Sequence, residues 1–120
     1  MPDRPAEVSK SAASLRDLLG FADHFAGVNI ALSDRFFTAA EATFERLARR
    51  PGIGAPWGDR DLRVAGVRCA GIDGFKNHLV FYREIDDGIL VLRVMHAARD
   101  LKGLTFLIVE EDGDAPPPQD

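Results

Sequence analysis

Cysteine, tryptophan and tyrosine occur once each and histidine three times in this 120-residue chain, so thiol and imidazole groups for redox or metal sites are scarce. The lone Cys69 excludes an intramolecular disulfide. His24, His78 and His96 show neither H-x-x-x-H nor C-x-x-C spacing with one another or with Cys69, so nothing points to a zinc site. G-x-x-x-x-G-K-[ST] and G-x-G-x-x-G are both missing, which removes the common phosphate-cradling loops. The longest apolar runs, Ile89 to Leu92 and Thr105 to Val109, fall far below the roughly 20 residues of a membrane span. No basic start leads into an apolar run and a small-residue cleavage site, so the expectation is a cytoplasmic, non-secreted protein. Ser9, Ser11, Ser14 and Ser33 stand in helix-starting or helical contexts, and Cys69 has no neighbouring histidine; capping and core filling account for them better than nucleophilic catalysis. No internal repeat is visible, and no cofactor is expected.

What is present suffices for one compact domain: 46% of the residues are hydrophobic. The formal charge of −4 hides an asymmetry. From Arg46 to Lys102 there are 11 basic and 7 acidic residues, a local +4 against −8 elsewhere. A basic middle suits an anionic partner, nucleic acid or acidic protein segment, and equally suits a solvated surface.

Met1 to Pro5 reads as a frayed start and Ala6 to Ser9 as a short edge strand. Ser9 or Ser11 caps a first helix whose apolar face is Leu15, Leu18, Leu19, Ala22, Phe25 and Ala26, with Arg16, Asp17 and Asp23 opposite and Gly27 at its end. Asn29 caps a second helix marked by Phe36, Phe37, Ala40, Phe44, Leu47 and Ala48, with Arg46, Arg49 and Arg50 in its last turn and Pro51-Gly52 as its stop. Two helices so closely joined form an antiparallel hairpin. A Pro/Gly-rich loop, Pro51 to Asp59, carries Trp57. A weak strand near Leu62 to Ala70 follows, then strong strands over His78 to Ile85 and Ile89 to His96, joined by an Asp87-Gly88 turn. Helices first and antiparallel strands afterwards give an α+β fold with the hairpin packed on an antiparallel sheet. Thr105 to Val109 reads as an extra strand or an exposed apolar segment suited to strand pairing, and from Glu110 the acidic, Pro-rich tail reads as disordered.

The chemistry-bearing residues that remain are basic groups on the sheet: Arg63, Arg68, Lys76, His78, Arg83, Arg93, His96 and Arg99. Strand alternation places His78, Val80, Tyr82 and Glu84 on one face and Leu79, Phe81, Arg83 and Ile85 on the other; it groups Arg93 with Val91 and Met95. Such arginines can grip a phosphate or a carboxylate bidentately, and can equally snorkel at an edge. His96 beside Arg99 can shuttle a proton during phosphodiester cleavage; a histidine at a strand end is also a common structural residue.

Several segments in order resemble the RelE/ParE family of bacterial toxins, which includes plasmid-stabilisation proteins: Ser9 through Leu15-Arg16-Asp17-Leu18, Phe44-Glu45-Arg46-Leu47-Ala48 with Arg50-Pro51-Gly52-Ile53-Gly54, Phe81-Tyr82-Arg83, Asp86-Asp87-Gly88-Ile89, Leu92-Arg93-Val94 and His96-Ala97-Ala98-Arg99-Asp100-Leu101. The resemblance covers Val8 to Leu101 and implies a strand, two helices and an antiparallel sheet over residues 1–104, with 105–120 as an extension. It implies a cognate antitoxin protein as partner. RelE-like members cleave mRNA on the ribosome without metal, whereas ParE-like members block DNA gyrase by binding. The F-Y-R and H-x-A-R-D-L segments resemble the ParE side. Leu62-Arg63-Val64-Ala65-Gly66-Val67-Arg68 lacks the lysines of the nucleases, and no terminal tyrosine follows Arg99. The resemblance therefore implies a gyrase-binding inhibitor rather than an enzyme, with Arg68, Arg83, Arg93 and Arg99 as target or antitoxin contacts. The RelE-like alternative would use His78, His96 and Arg99, and a third alternative is a non-toxic module that only binds its antitoxin.

Overall fold

A computed structural model describes residues 6–57 and 65–100. Along the chain lie strand β1 (Glu7–Lys10), helices α1 (Ala12–Ala26) and α2 (Ile30–Arg49), a 3-10 turn (Pro51–Ile53), strands β2 (Ala55–Pro56), β3 (Val67–Ile72), β4 (Phe75–Ile85) and β5 (Gly88–His96), and a short helix α3 (Ala97–Asp100). The α+β architecture expected from the sequence is the one found. The sheet is mixed rather than wholly antiparallel: its order is β1-β5-β4-β3-β2, and β1 runs parallel to β5. The expected frayed start, Arg63, Thr105 to Val109 and the acidic tail lie outside the described residues, as does the boundary at residue 104. Among the described residues no helix is long and apolar enough to cross a membrane.

Local chemistry explains where the helices begin and end. Ser11 starts α1 by accepting the Ser14 amide on Oγ at 3.0 Å, and the same hydroxyl donates to the Leu92 carbonyl at 2.7 Å, so the cap also ties the helix to β5. Asn29 Oδ1 accepts the Leu32 amide at 2.7 Å at the start of α2. Gly27 closes α1 in the right-handed region, φ −64°, not in the left-handed conformation that a helix-ending glycine often adopts. Pro51 cannot continue α2 and opens the 3-10 turn instead.

The buried face of α2, with Phe36, Ala40, Phe44, Leu47 and Ala48, is the one its periodicity predicts. On α1 the stripe is rotated. Leu18, Phe21 and Ala22 are buried, whereas Leu15 and Leu19 are 47% and 64% exposed, and Asp17 turns inward. A helix packed simultaneously on α2 and on β5 buries a face set by both neighbours, and Asp17 has a partner on β5 that its own helix does not reveal. The main core joins these helices to Ile72, Val80, Tyr82, Ile89, Val91 and Val94. A second cluster, Val67, Phe81, Leu92 and Met95, lies on the other side of the sheet with Trp57 and Cys69 against it. Trp57 meets Phe81 edge to face at 5.2 Å.

Two hairpins organise the sheet, and each departs from expectation in an instructive way. Between β4 and β5 the paired ends are Ile85 and Gly88, so the two-residue loop is Asp86-Asp87 and Gly88 is already strand. Gly88 does not supply a positive φ there. It supplies room: a Cβ at this position would collide with the Glu7 backbone, which runs alongside as β1 and donates its amide to the Asp87 carbonyl at 2.9 Å. The other hairpin joins β3 to β4 through Asp73-Gly74, with Gly74 at φ +81°. The weak strand expected near Leu62 to Ala70 is found over Val67–Ile72 and runs two residues further than expected, up to this turn; Leu62, Arg63 and Val64 are outside the described residues.

Tyr82 crosses from the sheet to the exit of α2. It is fully buried, accepts the Gly54 amide at 2.9 Å and donates to the Pro51 carbonyl at 2.8 Å. Arg68 Nη1 holds the same turn from beside it, donating to the Gly54 carbonyl at 2.6 Å. Tyr82→Phe leaves two buried backbone groups without this partner and is expected to lower the unfolding free energy by about 1–3 kcal/mol in a urea titration. Gly88→Ala is expected to cost a comparable amount, about 1–3 kcal/mol, and to raise hydrogen exchange selectively at the β1 amides. Unchanged exchange at Glu7 would contradict the close-approach account.

Candidate binding cleft

Strand β5 is covered by β1 only as far as Val91, and what happens beyond that point creates the site. The register shifts between Phe81 and Tyr82, whose partners are Arg93 and Val91, so Leu92 is an extra residue in β5. This bulge breaks simple alternation. Val91 and Val94 both face the helices, Leu92 and Met95 both face away, and Arg93 is not grouped with Val91 and Met95 as alternation predicted. Arg93 instead reaches α1, where Asp17 receives Nε at 2.7 Å and Nη2 at 2.9 Å. The same carboxylate accepts the Val94 amide at 2.9 Å, replacing the strand that β1 no longer provides. Two residues on, Asp100 of α3 accepts the His96 amide at 2.9 Å. Two carboxylates thus satisfy an open sheet edge.

Between α1 and this edge lies a cleft of about 610 Å³. It is lined by Arg16, Phe21, His24 and Phe25 of α1, by His78 of β4, by Val94, Met95 and His96 of β5 and by Arg99 and Asp100 of α3. The nuclease-type set His78, His96 and Arg99 therefore converges here, joined by Arg93. Arg68 and Arg83 do not. Arg68 latches the turn after α2, and Arg83 pairs in register with Val67 and Leu90 on the face away from the helices. His24, Arg16 and Asp17, read from the sequence as parts of a helix only, are the cleft residues that strand-by-strand reasoning missed. No local signal marks them, because a helix and a sheet edge distant in sequence bring them together.

His78 and His96 are directly paired across β4 and β5, with ring centroids 5.2 Å apart and planes at 85°. His78 is only 8% exposed and sits among Phe21, Phe25, Phe36 and Phe75, nearest to Phe21 at 4.7 Å. Burial lowers its pKa, and the neighbouring His96, Arg99 and His24 push the same way; a backbone hydrogen bond at Phe75 opposes them. Neutral imidazole is the resting form. Nδ1 of both His78 and His96 is buried without a hydrogen-bond partner. Arg99 is held bidentately by Asp100 at 2.9 and 3.1 Å, with its guanidinium over the Phe21 ring at 5.4 Å. The Arg99 pair, followed by the His96 amide, holds the Asp100 carboxylate below its ordinary range. Among the described residues no three His, Cys, Asp or Glu side chains are arranged to hold a metal ion. Burial raises the Cys69 thiol to about 11, which keeps it protonated and unreactive.

Because the His78 pKa is lowered on folding, its contribution to stability is complete above the unfolded value of about 6.5 and is lost as pH falls below it, since the unfolded chain then takes up the proton first. The expected slope reaches at most about 1.4 kcal/mol per pH unit. Replacing His78 with Phe, which suits the surrounding rings, is expected to remove this component from unfolding curves collected between pH 7 and 5. Asp17→Asn is expected to cost about 3 kcal/mol by leaving a partly buried Arg93 without its carboxylate.

The family model described as ParE toxin of type II toxin-antitoxin system, parDE, matches residues 8–101. Toxin ParE1 of Caulobacter vibrioides is 31% identical over 100 residues, which cover 82% of this chain and 95% of that protein. A solved structure titled Chromosomal ParDE TA system from P. aeruginosa shares the fold with a TM-score of 0.54 at 18% identity, covering 77% of this chain and 96% of that one. The chain belongs to the ParE toxin family of type II toxin–antitoxin systems.

Proposed function

We propose that this ParE-type toxin inhibits DNA gyrase by binding it in the cytoplasm and is neutralised by a cognate antitoxin. The observation that carries the reading is the state of the residues a nuclease would need. His78 lies under four aromatic neighbours, neutral and 8% exposed, where it has little access to a ribose hydroxyl. A sheet that spends its polar groups on its own edges suits recognition better than proton transfer.

Induction without antitoxin is expected to stop thymidine incorporation within minutes, before methionine incorporation falls, and purified toxin is expected to suppress gyrase supercoiling. Supercoiling that persists at a large excess of toxin would remove the gyrase assignment. The convergence of His78, His96 and Arg99 in one cleft favours a second reading, a ribosome-dependent endoribonuclease. It requires protein synthesis to fail first and Arg99→Ala to abolish killing; undiminished killing by that variant would rule it out.

A further inference from the structure

We infer that the cleft between α1 and the end of β5 receives one carboxylate side chain of a partner protein, flanked by an apolar residue. The inference rests on the reading of this protein as one that acts through protein contacts, and it assigns the chemistry of one such contact.

Three observations lead to it. The first is the pair of orphaned imidazole nitrogens. Nδ1 of His78 and of His96 are buried without partners, in side chains that line an open cleft. A buried polar atom left so costs about 1–3 kcal/mol, which a turn of either ring toward an oxygen entering the cleft would recover. The second is Arg99. It is 65% exposed, and its pair with Asp100 uses Nε and Nη2, which leaves the Nη1 amine for an incoming oxygen. The third is the apolar content: Phe21, Phe25 and Val94 border these polar groups, so an aliphatic or aromatic neighbour of the bound acid has a surface to cover.

The same residues discriminate against nucleic acid. Asp17 and Asp100 stand at the cleft beside Arg16, Arg93 and Arg99, a formal balance of only +1 between its carboxylates and guanidiniums. A polyphosphate backbone needs several cations in a row and is repelled by these carboxylates. One carboxylate needs a single guanidinium and an imidazole N–H.

Blocked tripeptides test the assignment. Acetyl-Leu-Glu-Leu-amide, its Gln counterpart and inorganic phosphate would each be titrated into full-length protein while following the ring nitrogen resonances of His78 and His96 and the Nε resonance of Arg99. The Glu peptide is expected to shift the His96 and Arg99 signals saturably and at least ten-fold more tightly than the Gln peptide. Arg99→Gln is expected to abolish that shift with the thermal midpoint nearly unchanged, and Arg99→Lys to retain part of it. Equal binding of Glu and Gln peptides, tighter binding of phosphate than of the Glu peptide, or full binding by Arg99→Gln would each overturn the inference. Glu-selective binding together with uninhibited gyrase would leave this site standing and remove the gyrase reading, so the two fail separately.

Discussion

The Asp17 carboxylate fixes how the helical hairpin meets the sheet. It takes two donors from Arg93 and a third from the Val94 amide, at distances of 2.7 to 2.9 Å, with both side chains about 15% exposed or less. An ion pair this shielded gives little net stability over an apolar substitute, but it is costly to break from one side, so it specifies geometry more than it adds free energy. The geometry specified is considerable. The interaction settles which face of α1 packs inward, keeps the bulge at Leu92 in place and stands in for a strand where β1 ends. Ser11 contributes the same kind of double service at the start of the helix, capping α1 and binding Leu92.

The cleft follows from that junction. Because β1 stops short, the last third of β5 would expose unpaired amides. Asp17 and Asp100 satisfy them from the side, leaving a space lined by α1, the β5 end and α3 in which aromatic rings, imidazoles and guanidiniums lie together. Burial keeps His78 neutral there, and the nearby cations reinforce it. The same environment that disfavours a proton on His78 strengthens any hydrogen bond formed inside it. Chemistry of the catalytic kind would need a mobile proton, whereas recognition needs fixed donors and a shaped wall. The arrangement fits the second requirement.

Much of the fold was legible before any coordinates. The caps at Ser11 and Asn29, the stop at Pro51, the buried stripe of α2 and the face of β4 that carries His78, Val80 and Tyr82 all follow from propensities and periods confined to single elements. The misreadings cluster where two elements compete. Leu15 and Leu19 look like core on a helical wheel, yet α1 packs against α2 and β5 at once and leaves them outside. Gly88 looks like a turn residue and is a strand residue alongside β1, whereas the hairpin turn with a positive φ is Asp73-Gly74. Of the arginines read as one basic surface, Arg93 and Arg99 reach the cleft, while Arg68 is spent on the turn after α2.

The sequence alone determined the class of the fold, the order and type of its two long helices and main strands, and the family, because these depend on hydrophobic period, capping residues and a string of short motifs, all of them local in the chain; the 3-10 turn, β2 and α3 were not legible in it. Tertiary structure alone decided the parallel placement of β1, the bulge at Leu92, the inward turn of Asp17 and the meeting of His24, His78, His96 and Arg99 around one space. Each of these joins residues from separate elements, 77 positions apart in the case of Asp17 and Val94 and 81 in the case of Glu7 and Gly88. A side chain's own neighbours in sequence carry no record of such a partner, so its role appears only when the elements have packed.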